Sequence, residues 1–553
     1  MPAHELSEES DLPWKSPLVT GSILLVLCVV SFALKGLVAA GREVPGHGDV
    51  SHYFALARNL FEGRGMWMAS LSTWLGEPTG LPVYGAGYWM PLPAWIAELG
   101  MLWRGEASFG AAGSGMIALT SLVPLLTYLL GRDLLGSARA GLAGALLATS
   151  FHLFLDKASL PLTHGGVLVF GGFALWAIVR SLESRRHLFL AGLFIAASQL
   201  NRSDGVLWIP VLLVAHRVRV GGPTPLLRLW PALAAYAISI GPFLFANLEA
   251  IGRLWPASLL DVALLPSYPW LYALPEKVTL EAYLAPGFGS ILIDKLAVCG
   301  TNALATLTGL ASSGRIGAAE KLSTYVPHAL AFFAWIGAAP LFRRKLAAFW
   351  CYLLLEWVLY SLVFTHTGHT SFESILYAIY PLLLVLAARG FWILLAGLHE
   401  PLLRGSPVKR WAFAFAWILF VLANFHEAEQ TSERRVRANA GLASLNRAQV
   451  NRLIRRNDLE REILMVAPGI VHSLHAHTRI KTVSIPYLAS AEEIWTAGTR
   501  VGATHILLTE KSATPKKWNL PAIVEESEFF LPIDQAELSG TLRKLYQLRP
   551  AAN

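Results

Sequence analysis

From Ser16 to Phe425 the chain repeats apolar blocks long enough to cross a bilayer, which takes about 20 residues in helical form. Few folds tolerate that pattern. In lipid every backbone N–H and C=O must be satisfied within the structure, so apolar runs of this length become helices. The rest of the composition agrees: 54% of the 553 residues are hydrophobic and only 15% are Asp, Glu, Lys or Arg, too few charges to wet a globule of this size. The chain therefore reads as a polytopic α-helical membrane protein. Its net charge of +8 needs no nucleic-acid partner, because loop lysines and arginines serve to orient the spans.

Eleven spans are expected, near 17–40, 112–131, 138–155, 161–180, 188–201, 205–216, 229–250, 324–342, 347–365, 374–398 and 411–425, the fifth and sixth being short. The basic residues fall after alternate spans: Arg132 and Arg139, Arg180 with Arg185 and Arg186, Arg217, Arg219 and Arg228, Arg343 to Lys345, and Arg404 with Lys409 and Arg410. With Lys15 they share one side if the N-terminus is cytoplasmic. The first apolar run follows acidic residues and exceeds a signal-peptide core, so it reads as an uncleaved anchor. Cys28, Cys299 and Cys351 are far apart in apolar surroundings and match neither a disulfide framework nor a zinc spacing.

This topology places three large segments outside. The first outer loop, 41–111, is too long for a simple connection. Its apolar periodicity predicts two amphipathic helices lying on the membrane surface, near 49–62 and 92–103. The second, 251–321, mixes aromatics and prolines with "GSILIDKLAVCG" and reads as interfacial or re-entrant helices. The third is a soluble tail, 426–553, beside a membrane module, 1–425. In the tail, "EILMVA", "KTVSIPY" and "ATHILLTE" read as buried strands, and "PGIVHSLHAHT" and "SAEEIWTAGTRVG" as helices, giving a βαβαβ unit.

Candidate chemistry begins in "GDVSHYFALARNL", residues 48–60. Asp49 and His52 are three apart and share a face where a helix starts. Asp49 fits an N-cap, and the same helix end favours a neighbouring phosphate. Asp156, in "FLDKASLPLTHGG", closes the third span on the same side; alone, it could simply mark the membrane edge. Arg202, Arg58, His52, His366 and His369 are candidate phosphate or donor contacts. Each has a plainer alternative: Arg202 could pair with Asp204, Arg58 with Glu62, and the two histidines of "HTGHTSFE" could fill a polar loop. His472, His475 and His477 lack a fourth ligand and read as packing or surface residues.

Together these features resemble the membrane-embedded glycosyltransferases of the GT-C fold, particularly the protein O-mannosyltransferase and aminoarabinose transferase family (glycosyltransferase family 39-like). Asp49, Tyr53 and Ala57 resemble that family's acid and helical repeat in the first outer loop, and "YWMPLPAW" (Tyr88–Trp95) its second surface helix. Asp156 resembles the second-loop acid, "LNRSDGVLWIP" (Leu200–Pro210) the basic connection between two short spans, and "ESILYAIYPLLLVLAARG" (Glu373–Gly390) a late span. Two departures stand out. Val50 replaces a second adjacent acid and His52 replaces a basic residue, so a divalent metal stays open but disfavoured, a lone carboxylate being a poor site for one.

The resemblance implies an enzyme on the outer face of a membrane, expected to be a bacterial inner membrane. It would take a sugar from a polyprenyl-phosphate carrier and pass it, with inversion, to a protein, lipid or glycan acceptor. Asp49 would be the general base, with Asp156 assisting. An oligosaccharide ligase or polymerase uses the same carriers and is the nearest alternative. A transporter of lipid-linked glycans is another, though such proteins tend to show repeats and polar residues at mid-membrane depth.

Overall fold

The computed structural model describes residues 16–550 apart from 46–47, 77, 152–153, 156, 221–225, 257–261, 309–321, 365–367, most of 403–449, 510–517 and 539–540. Helix α1, Pro17–Ala39, starts with proline in its first turn, where the missing N–H costs nothing. Two helices of the first loop follow, α2 (Gly48–Phe61) and α3 (Leu92–Arg104). The bundle continues with α4 (Phe109–Leu134), α5 (Ala138–Ser150), α6 (Thr163–Ser181), α7 (Arg186–Asn201), α8 (Trp208–Val220) and α9 (Leu226–Ile251). After these come α10 (Phe288–Thr308), α11 (Leu322–Ile336), α12 (Arg344–Val363), α13 (Gly368–Leu376) and α14 (Tyr380–Leu402). Six helices among the described residues are long and apolar enough to cross a membrane: α1, α4, α6, α9, α10 and α12. The chain is an integral membrane protein.

Several expectations change in detail. In the segment 251–321, expected to hold interfacial or re-entrant helices, α10 is of spanning length. Its Asp294 and Lys295 disguise it in the sequence. The span expected at 374–398 is broken after Leu376, and α14 begins again at Tyr380. The fifth and sixth spans are helices of 16 and 13 residues. The eleventh, 411–425, lies largely outside the described residues.

Bare backbone contacts draw the helices together. A Cβ on Gly115 of α4 would lie 2.1 Å from the Ile96 carbonyl oxygen of α3, and one on Gly390 of α14 would lie 1.8 Å from that of Phe333 in α11. Small residues allow this approach, and packing rather than water-driven burial holds helices together in lipid. Gly115→Val is expected to push α3 off α4 and destabilise the protein by about 3 kcal/mol, near the upper end for overpacking. Thermal melting in detergent measures that, and an unchanged melt would show that α3 is not seated on α4.

The tail contains the three expected parallel strands, β4 (Ile463–Val466), β5 (Lys481–Ser484) and β6 (His505–Thr509). The helices α15 (Val471–Thr478) and α16 (Ala491–Arg500) connect them. Two antiparallel strands, β7 (Phe530–Leu538) and β8 (Thr541–Leu548), extend the sheet. Its other edge comes from far away in the chain. The first loop forms β1 (Trp67–Met68), β2 (Ser70–Leu71) and β3 (Val83–Tyr84), and β2 pairs in parallel with β5, giving the order β2-β5-β4-β6-β8-β7. Loop and tail therefore share one sheet, which no local pattern in the sequence announces.

Candidate active site

Helix α2 differs from the surface helix that its periodicity suggests. Residues 50–59 are all buried. One side packs on α3. The polar side, which would otherwise meet water or headgroups, lies beneath α15 of the tail. Ser51 Oγ is 3.2 Å from Ser473 Oγ, an Arg58 Nη donates to the Ala476 carbonyl at 3.0 Å, and Arg479 pairs with Glu62 at 2.7 Å. The tail is the missing partner that makes the polar face of α2 an interior one.

Asp49 lies half-buried in the first turn of this helix, where the partial positive charge of the helix end favours a carboxylate. Tyrosines crowd around it. Burial raises the Tyr53 hydroxyl pKa, Asp49 raises it further, and Arg202 opposes. Tyr88 behaves alike, with Tyr268 adding to the burial effect before Asp49. Tyr268 and Tyr272 also feel the Asp49 charge. Asp49 and Arg202 thus act with opposite sign on the same two hydroxyls, although they stand 153 positions apart in the sequence.

Arg202 follows α7 in extended backbone. Its Nε donates to Asp204 Oδ2 at 2.6 Å and one Nη to Tyr360 Oη at 2.7 Å, with the guanidinium 5.5 Å over the Tyr360 ring. Tyr360 also donates to Asp204. The pairing with Asp204 suspected from the sequence is present, yet the Arg202 side chain remains 19% exposed. Structural pairing and an accessible cation coexist. Glu356, one turn before Tyr360 in α12, is buried beside Asp204 and Arg202. The sequence carried a signal for it: an acid inside "CYLLLEWVLY" is expensive in a span and is kept for a reason.

The other candidates lie elsewhere. Arg58 is nine residues beyond Asp49, about 13 Å along the helix, and its guanidinium holds the tail. His52 is buried, stacked on Trp89 at 4.3 Å and edge-on to His472 at 4.7 Å. Burial pushes its pKa down to about 3, against the opposing influence of the Gly85 backbone. A neutral imidazole brings no charge to a phosphate. Asp156 and His366 lie outside the described residues, as does the side chain of His369. No group of three or more His, Cys, Asp or Glu side chains converges among the described residues. Around Asp49 they offer tyrosines and an arginine, a set that does not fit a divalent cation.

The buried histidines make stability pH-dependent. His475, bonded through Nδ1 to the Ile480 carbonyl at 2.8 Å, is pushed down to about 4, mainly by burial. An imidazole neutral in the fold but protonated near pH 6.5 when unfolded favours the unfolded chain as acid is added. Stability from His475 is therefore intact above about pH 6.5 and lost as pH falls towards 4; for His52 the loss continues towards 3. About 2 kcal/mol per histidine is expected between pH 7 and 4.5. Melting curves across that range, with His475→Gln shallower than wild type, check it.

A bundle of this architecture, with an acid-bearing helix and a mixed-sheet tail stacked at one rim, defines a membrane protein of the GT-C glycosyltransferase fold. Two solved structures show it. ArnT from Cupriavidus metallidurans in the apo state matches at TM-score 0.57 and 12% identity, over 96% of this chain and 98% of that one. The Archaeoglobus fulgidus oligosaccharyltransferase, also apo, matches at TM-score 0.55 and 13% identity, over 90% and 70%. A further ArnT structure, at TM-score 0.53, is bound to undecaprenyl phosphate. At the sequence level, residues 89–245 match the family model for dolichyl-phosphate-mannose-protein mannosyltransferase. The resemblance to that family is thereby shown, in a window that includes Arg202 and Asp204 but not Asp49. No curated protein matches the chain in sequence.

Proposed function

We propose that the protein transfers a glycosyl unit from a polyprenyl-phosphate carrier to a hydroxyl or amine acceptor at the extracytoplasmic rim of its membrane. The observation that supports this reading is electrostatic: Asp49 and Arg202 act with opposite sign on the Tyr53 and Tyr88 hydroxyls, so an acid and a cation bear on one place. Transfer needs a base at the nucleophile and a cation at the departing phosphate, and this pair supplies one of each. Asp49 takes the acceptor proton as the acceptor heteroatom bonds to the anomeric carbon. The bond from that carbon to the phosphate oxygen breaks with its electron pair, inverting the centre, and Arg202 faces the new charge. Asp204 and Tyr360 hold the guanidinium in place. Asp156 is proposed to assist at the acceptor.

Alternating basic loops support the orientation, with the N-terminus cytoplasmic. The undecaprenyl phosphate bound to ArnT supports a lipid-phosphate donor. The deciding experiment supplies purified protein with a panel of polyprenyl-phosphate sugars and follows release of the free carrier phosphate. Carrier release with no wild-type dependence on Asp49 would reject the assignment, and a cytoplasmic first loop by reporter fusion would reject the whole reading.

A further inference from the structure

Helix α10 carries two polar side chains on an otherwise lipid-suited surface. Its Ile293, Leu296 and Leu307 are more than half exposed, while Lys295 is half-buried and Asn302, two turns further on the same face, is fully buried. Polar residues in a span are expensive, so what they touch is informative. Both touch one turn of α12. Resting on the functional reading above, we propose that Lys295 and Asn302 are positioning residues for Arg202, acting by holding the turn of α12 that presents Tyr360 to it.

That turn is unusual. Residues Leu359–Val363 wind as a single π-turn at the C-terminal end of α12, closed by the Phe364 N–H donating to the Leu359 carbonyl at 2.8 Å. Such turns are rare and recur at functional sites. This one contains Tyr360, whose hydroxyl accepts from Arg202 at 2.7 Å and donates to Asp204. The next two residues are held from α10. Asn302 Nδ2 donates to Ser361 Oγ at 3.0 Å, with both side chains fully buried. Lys295 Nζ donates to the Leu362 carbonyl. Carbonyls in the last turn of a helix lack partners within it, and a lysine can supply one.

The contacts form a chain from α10 to the cation. Lys295 and Asn302 hold Leu362 and Ser361, the turn they brace directs Tyr360, and the Tyr360 hydroxyl receives the guanidinium. Without the two bonds the turn is free to relax toward α geometry, which redirects Tyr360 and loosens Arg202. A simple anchor for α10 could sit anywhere along α12. These two bonds fall instead on consecutive residues directly after Tyr360.

The test places 3-fluorotyrosine at position 360 of the full chain in nanodiscs and reads its fluorine NMR resonance beside carrier-dependent transfer. Lys295→Met takes a charge out of a half-buried site on a lipid-facing helix, so the variant should fold. It should move the resonance toward the position found in Arg202→Met; Asn302→Leu should do the same, and Lys295→Arg should restore it. Turnover in Lys295→Met should fall about tenfold, less than for loss of the cation itself, with KM for the acceptor unchanged. In a Tyr360→Phe background the same change should cost no more than about twofold, because residues acting through one group are not additive. A resonance unmoved by both Lys295→Met and Asn302→Leu overturns the inference. So does wild-type turnover in both, or a full further loss in the Tyr360→Phe background, which would make the two residues anchors of α10 only. If the wild type transfers nothing, the transferase reading falls and the fluorine resonance still decides the positioning. If transfer is normal while the resonance ignores both variants, the positioning falls and the reading stands.

Discussion

Asp49→Asn is expected to lower sugar transfer by about 10²–10⁴-fold, the range for losing a general base. Stability should fall far less, by about 0.3–1 kcal/mol, the worth of a charge at a helix N-terminus. The asymmetry follows from the site. Asp49 is only half-buried at the start of α2, while the helix is held by the apolar packing of residues such as Tyr53, Phe54 and Ala57 and by the tail above it. Donor binding, read by protection of the protein against melting with polyprenyl phosphate, should persist. Transfer within threefold of wild type would mean that another group takes the proton, and Asp156→Asn would be the next variant to assay.

Arg202→Met should be the more destructive change, because it strikes catalysis and fold together. Losing a preorganised cation at the leaving group costs about 10²–10³ in turnover. Leaving Asp204, 9% exposed, without its guanidinium partner costs about 3–5 kcal/mol. The two effects separate in a double variant. Arg202→Met with Asp204→Leu removes both buried charges and should recover most of the melting temperature, yet transfer should stay at the level of the single variant. If the double variant recovers transfer as well, Arg202 is only a structural counter-ion and the phosphate is held elsewhere.

The network of Arg202, Asp204 and Tyr360 shows why a single sequence leaves such residues ambiguous. Two charges two positions apart could be solvated decoration, and only the Tyr360 hydroxyl arriving from α12 makes them a fixed, partly accessible cation. Glu356 could have been suspected from its apolar neighbours. The neutral state of His52 could not, since burial by Trp89 and by a tail helix more than 400 positions away produces it.

Local patterns determined the class of this protein. Apolar runs of spanning length have one solution in lipid, and short apolar runs and the segments between them in the tail marked its parallel strands and helices, because the forces involved act within a few residues. The tertiary structure decided what those elements enclose. It laid the tail over the polar face of α2, lent β2 of the first loop to the tail's sheet, and fixed Arg202 between Asp204 and Tyr360. Those contacts join residues hundreds of positions apart, through shape and the satisfaction of buried polar groups, and neither property is written in the neighbours of any one residue.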